Sequence, residues 1–344
     1  MSSKRPFRTC NQYSIGLITA LAIELTAINA MLDERHDYPQ DLNVVSDDNN
    51  YQSSRIGSHN VVIAALPRKS MEKVSAATTA TQMAKTFPHI RFGLFVGIGG
   101  VVPNLDAEQD VRLGDIVVGI PGGTSGGTVQ YKLGKLTSQG FKRTRILAKP
   151  PKKLLAGVQS LQAKHEGQDT KIPALIEEVF QKYPKLKRST PGYSFQGAEN
   201  DHLFRSDYEH VGGTKCNDCR KEHTLIRKER MDPKQPRIHY GMIVSGDSII
   251  KSGAVRDSIA QALRTENNLD CLCFEMEAAG LKDFPCLVVR GVSDYADSHK
   301  NDKWQRYAAI TTAAFFKEIL QNLGTREVEI IKAVGEVVKG LNQC

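Results

Sequence analysis

The chain has 344 residues, 40% hydrophobic and 24% charged, with seven cysteines and a formal net charge of +8. Such a composition is ordinary for a globular protein and long enough for a sizeable core, as one large α/β domain or two smaller ones. An odd cysteine count without secretory context points to reduced thiols and a cytoplasmic location.

Residues 1–12 read as a disordered N-terminus. Residues 13–21 read as a buried strand and 22–33 as the helix after it. Glu24 breaks the apolar run across them, which excludes a signal peptide and a membrane span. Residues 33–60 form a polar, turn-rich connection, and Val61–Leu66 a second strand. After Pro67 the small-residue run 73–87 predicts a helix lying close to a sheet. Residues 91–104, "RFGLFVGIGGVVPN", predict a strand that ends in a glycine loop, and residues 114–121 the next strand. Alternating strands and helices, with near-continuous apolar strands, predict an α/β fold: a largely parallel or mixed sheet with helices on both faces.

From about 120 to 238 the pattern weakens, with amphipathic helices expected at 150–165 and 173–183 on a Gly-, Lys- and Pro-rich background. This reads as an insertion, not as an independent domain. Residues 141–240 hold 21 Lys and Arg against 12 Asp and Glu, whereas the rest of the chain is nearly neutral. A basic segment can bind anionic ligands, but no nucleic-acid fingerprint accompanies it, so no nucleic-acid partner is expected. Cys216 and Cys219 are half of a zinc site, with His202, His210 and His223 nearby. Unligated thiols in a surface loop, and no metal, are the expectation. Core signals resume at 239–250, at "CFEMEAAGLKDFPCLVVRGVSDYAD" (273–297) and at a helix over 304–323.

In an open parallel sheet, ligands sit beyond the carboxyl ends of the strands. Glu24, Gly97-Ile98-Gly99-Gly100, Ser245-Gly246-Asp247 and Asp294 all fall at such ends, and Glu277 lies just before the last strand. Singly, each has a plain explanation as a cap, turn or ion pair. Together they bring at least three carboxylates to one crevice. That suits glycosidic cleavage: one acid protonates the leaving group, one base activates water, and negative charge favours an oxocarbenium-like transition state. A third carboxylate can accept both hydroxyls of a ribose, and the glycines let backbone approach a ligand.

The segments 15–24, 73–83, 93–104, 112–119, 239–253, 273–281 and 288–309 resemble the nucleoside phosphorylase/nucleosidase superfamily. Within it they are similar to methylthioadenosine/adenosylhomocysteine nucleosidases and to phosphorylase-like domains of fungal multidomain, immune-receptor-like proteins. The resemblance implies a single phosphorylase-like domain over 13–326, with the insertion at about 120–238 and a helical tail over 327–344. It makes Glu277 the ribose anchor with Met276 against the sugar, and Asp294 the general acid on purine N7. Arg290 orients that neighbourhood. Gly97, Ile98 and Gly99 line ribose and base, Ile249 and Ile250 flank the base, and Ser293 joins the site. It implies a small-molecule purine nucleoside or nucleotide as partner, a homo-oligomer, no cofactor and no membrane.

Three readings stay open on sequence. A purine nucleosidase is favoured because Glu24 falls where nucleosidases carry the glutamate that activates water, and the Gly-Asp-Pro-x-Arg segment of phosphorylases is absent. Glu24 also fits a plain first-turn helix residue. A phosphorylase remains open because Arg68 and Lys69 are placed to bind phosphate, either inorganic or that of a nucleotide. A weakly catalytic sensing module is the third reading, and the presence of Glu24, Glu277 and Asp294 counts against it.

Overall fold

The computed structural model describes residues 8–42, 47–67, 73–105, 110–122, 125–137, 140–143, 147–213 and 215–341. The first half contains β1 (Ile15–Thr19), α1 (Ala22–Met31), β2 (Glu34–Arg35), β3 (Tyr51–Ile56), β4 (His59–Ala65), α2 (Lys73–Thr86), β5 (Phe92–Val101) and β6 (Ile116–Gly119). The insertion holds β7 (Thr128–Gln130), β8 (Gly134–Thr137), β9 (Gly140–Arg143), α3 (Lys152–Gly167), α4 (Ile172–Lys182) and α5 (Pro184–Arg188). After it come β10 (Ile238–Ser245), α6 (Gly253–Asn267), β11 (Cys271–Glu275), β12 (Cys286–Asp294), α7 (Gln305–Asn322), α8 (Thr325–Glu329) and α9 (Val334–Leu341).

The fold is mixed α/β, as expected. Its sheet runs β11-β10-β6-β12-β5-β1-β4-β3-β2, with β7 beside β10. The pairs β4–β1, β1–β5, β5–β12, β6–β10 and β10–β11 are parallel. β11 also pairs antiparallel with β5, Cys273 opposite Val101 and Phe274 opposite Gly100. β5, β12, β6, β10 and β11 therefore close on themselves, and β1, β4, β3 and β2 extend the sheet from that ring. Successive strand residues feed two cores. Leu17, Leu94, Val96, Leu287 and Val289 join α1, α3, α4 and α7 on one face. Ile18, Phe95, Cys286 and Val288 join α2 on the other. Apolar side chains on both faces explain why these strands read as continuous hydrophobic runs. Helix α7 is buried along nearly its whole length, including Phe315 and Phe316, as a helix apolar all round must be.

Three local expectations change. The connection 33–60 contains β2 and β3, and β3 forms a hairpin with β4 across Gly57, whose φ of +55° suits glycine. The glycines at 97–100 do not leave the strand, since β5 runs on to Val101. Residues 10–12 form a single 3-10 turn with Cys10 buried, while residues 1–7 lie outside the described residues.

The insertion is tied to the core. α4 and α3 pack on α7, and Tyr193 donates its hydroxyl to the Ile23 carbonyl at 3.0 Å. Arg230 meets buried Asp115 at 2.6 Å, and Arg227 meets Asp201 at 2.9 Å. Arg230 and His239 hold the Asp115 carboxyl down at about 2 against the opposing effect of its burial. Some of the insertion's excess positive charge is thus consumed by buried acids. Among the described residues, no helix is long and apolar enough to cross a membrane.

Candidate active site

Glu24 is the third residue of α1 and is almost fully buried. Its Oε2 accepts from the Thr19 hydroxyl (2.8 Å) and from the backbone N–H groups of Ala20 (3.0 Å) and Leu21 (2.8 Å). These contacts close the exposed end of the helix. Its Oε1 accepts the Ile98 N–H at 2.8 Å. Oε2 is thus committed to the helix start, the plain first-turn reading of this residue, and Oε1 keeps acceptor capacity beside β5.

Gly97 permits that approach. A Cβ there would lie 2.7 Å from Glu24 Oε1 and 2.8 Å from Arg290 Nη1, both too close. The register opposite Gly97 on β12 is Arg290 itself. Arg290 is 1% exposed, and its guanidinium lies 4.0 Å from the Phe95 ring centre. Nη2 donates to Glu275 at 2.7 Å and stands 3.8 Å from Glu277.

Glu275 and Glu277 divide the work between them. Glu275, at the end of β11, pairs with Arg290 and accepts the N–H groups of Glu277 (3.1 Å) and Ala278 (2.9 Å), capping the 3-10 turn at Ala278–Leu281. Ser245, at the end of β10, accepts the Ala279 N–H at 3.0 Å and pins the same turn. Glu277 is left with Arg290 at a longer distance and no closer charge partner. Its burial, together with the negative charges of Glu275 and Glu24, pushes its carboxyl up to about 8, and Arg290 opposes without prevailing. Met276 beside it is half-buried.

Asp294 ends β12 and is 4% exposed. Oδ2 accepts from the Ser293 hydroxyl and from Lys300, each at 2.8 Å, and Oδ1 accepts the Ala296 N–H at 3.0 Å. All three contacts are donors. Ala296 has a φ of +49°, a costly conformation for a residue with a side chain, and Asp294 holds it there. The Ser293 hydroxyl also reaches the Gly99 carbonyl at 3.2 Å. Glu24 thus sits at Ile98 and Asp294 at Gly100, with Arg290 opposite Gly97 and Glu277 3.8 Å from Arg290. The residues expected at Gly97, Ile98 and Gly99 lie between these groups.

Ile249 stands apart on the loop after β10, 54% exposed, while Ile250 packs against the cluster of Tyr131, Phe274 and Ala296. Arg68 and Lys69 lie outside the described residues. Sequence reasoning placed Ser245 at the crevice but missed Lys300 and Thr19 as partners of the site. Lys300 had a weak signal, as the first cation after Asp294. The Cys216/Cys219 pair differs from a surface loop, because Cys219 is buried and both sulfurs converge with His210.

No family model matches the chain. It is 42% identical over 319 residues to a nucleotide-binding leucine-rich repeat (NLR)-like protein of Hyaloscypha variabilis, covering 92% of this chain and 30% of that protein. The chain thus spans under a third of that relative's length. It is 24% identical over 322 residues to the 5′-methylthioadenosine/S-adenosylhomocysteine nucleosidase of Mycobacterium bovis, covering 90% and 96% of the two chains. The solved futalosine hydrolase of Helicobacter pylori has a TM-score of 0.54 at 18% identity, covering 91% and 99%. The 5′-methylthioadenosine/S-adenosylhomocysteine nucleosidase of Neisseria meningitidis, solved with methylthio-immucillin-A, has a TM-score of 0.55 at 15% identity, covering 90% and 99%.

These likenesses and the ring-forming sheet define the class, a single phosphorylase-like α/β domain. In sequence the chain is similar to a nucleosidase, and in fold to nucleosidases and a futalosine hydrolase.

Proposed function

We propose that this chain hydrolyses the N-glycosidic bond of a purine ribonucleoside or nucleotide, releasing free base and the sugar. The observation that carries the proposal is Glu24: a buried carboxylate with one oxygen fixed and the other turned to β5, beside Glu277 and Arg290. The names of the relatives, nucleosidases and a hydrolase, support the same reading.

In this reading Glu277 accepts the ribose hydroxyls as a carboxylate. Asp294, carrying a proton in the substrate complex, gives it to purine N7. The C1′–N9 bond breaks with its electron pair passing to the base, and positive charge develops on C1′ and the ring oxygen. Water bound at Glu24 Oε1 attacks C1′ and passes its proton to Glu24. Negative charge around the crevice stabilises the cationic transition state, and fixed donors behind Glu24 and Asp294 keep both carboxylates from reorienting. Gly97 makes room for Glu24 and Arg290, and Gly99 for Cys273 and the Phe274 carbonyl, so these groups pack directly against β5. Arg68 and Lys69 are assigned to the 5′-phosphates of a nucleotide substrate, and the working unit is a homo-oligomer.

The test is base release from adenosine, inosine, guanosine, 5′-methylthioadenosine, AMP and ATP, followed by chromatography. Release from at least one of them that is lost in Asp294→Asn supports the proposal. No release from any at high protein concentration would favour a sensing module.

A further inference from the structure

Residues 210–213 and 215–219 of the insertion lie over the segment that follows Asp294. The His210 backbone N–H donates to Ser298 Oγ at 2.9 Å, and the Cys216 thiol points to the His299 carbonyl at 3.8 Å. Here a ring nitrogen of His210 and the sulfurs of Cys216 and Cys219 all lie within 4.8 Å of one another. Cys219 is buried, and His210 and Cys216 are half-buried.

A second, independent feature adjoins them. His299 is 6% exposed, and both of its ring nitrogens are buried without a hydrogen-bond partner. A neutral imidazole has one donor and one acceptor to satisfy. The nearest acid, Asp297 Oδ1, is 3.8 Å away, beyond hydrogen-bond reach. Phe204 stacks on the ring at 3.9 Å and fixes its plane without satisfying either nitrogen. The ring centroid lies 5.6 Å from that of His210, edge to face.

We propose that His210, Cys216 and Cys219 bind one zinc ion, with His299 supplying the fourth ligand. Two thiolates and imidazole nitrogens are the donor set zinc prefers, and they disfavour calcium and magnesium, which take oxygen ligands. Zinc bonds of about 2.0–2.3 Å place ligand atoms roughly 3.3–3.8 Å apart in a tetrahedron. Small side-chain movements therefore close the spread of the His210, Cys216 and Cys219 atoms, and His299, outside that group, turns a ring nitrogen in to complete the set. On binding, each thiol gives up its proton and each sulfur donates an electron pair to the metal, with no change of oxidation state. Four protein ligands leave no open position, so the ion has a structural role. It joins the insertion to the segment carrying Asp294 and Lys300. The proposal stands independently of the reaction the crevice performs.

The experiment uses the full chain, purified under reductant, loaded with zinc and desalted, with metal content read by mass spectrometry. Cobalt(II) substitution is followed by absorption. The expected content is about one zinc per chain, and the cobalt form shows thiolate charge-transfer absorption and the intense visible bands of tetrahedral coordination. Cys216→Ser and His210→Ala lower zinc retention by roughly tenfold or more, and His299→Gln weakens it and shifts the cobalt bands. Wild-type protein that retains less than roughly a tenth of an equivalent overturns the proposal, as does cobalt binding without thiolate absorption. A Cys216–Cys219 disulfide formed in the zinc-loaded protein also overturns it. An unshifted cobalt spectrum in His299→Gln removes His299 as the fourth ligand. The wild-type cobalt spectrum decides the matter even where a variant fails to fold.

Discussion

Replacing Glu277 by Gln removes a charge whose cost follows from its surroundings. Burial, Glu275 and Glu24 raise the carboxyl from its ordinary 4.5 to about 8. At about 1.4 kcal/mol per tenfold change in the proton equilibrium, holding the side chain ionised costs on the order of 5 kcal/mol. The sign is fixed by linkage. The folded protein keeps this proton in a range where the unfolded chain has lost it. The contribution is therefore fully present below pH 4.5 and gone above about 8. Glu277→Gln has no such slope. Urea unfolding at intervals from pH 5 to pH 9 should show the variant gaining on the wild type as pH rises, by up to a few kcal/mol. In the proposed reaction the anion accepts both ribose hydroxyls, so nucleoside affinity of the wild type should strengthen up to about pH 8 and then level off. Turnover in the variant should be lost. Parallel stability curves for the two proteins would refute the reasoning, because they would mean that Glu277 is already ionised at neutral pH.

Asp294→Asn keeps the size of the side chain but cannot supply the same proton, so turnover should fall roughly 10²–10⁴-fold with folding intact, measured by base release and thermal denaturation. Arg290→Met leaves Glu275 buried without its charge partner and should destabilise by about 3–5 kcal/mol in urea unfolding. Adding Glu275→Gln should recover part of that loss. Gly97→Ala places a Cβ against Glu24 and Arg290, and should cost about 1–3 kcal/mol in stability and reduce turnover, both read on the same preparation.

The parts of the fold legible in the sequence were those whose burial is two-sided. β1, β5, β12 and α7 are buried on every side and showed as largely apolar runs. β3 did not show, because the polar run Gln52–Arg55 fills the strand between Tyr51 and Ile56 and resembles a loop. β11 was obscured by the two glutamates that follow, which read as a helix start. The closure of β11 on β5 joins Cys273 to Val101, and no local pattern signals a pairing so distant. At the candidate site, Glu24, Glu277 and Asp294 were legible because their motifs place them near strand ends, and Arg290 because it is the cation within the apolar run of β12. The division of labour between Glu275 and Glu277 was not, since only the third dimension shows which of them Arg290 takes. Lys300 and the donors on Glu24 stayed hidden for the same reason.

The central claim is that Glu24 directs water, not phosphate, to the anomeric carbon. It is tested by incubating the protein with a nucleoside in phosphate-free buffer, measuring base release and identifying the sugar product. The account predicts free base and free ribose without phosphate. Glu24→Gln should reduce turnover far more than nucleoside binding, because a base aligned on water acts in the transition state. Ribose 1-phosphate formed only when phosphate is added would contradict it.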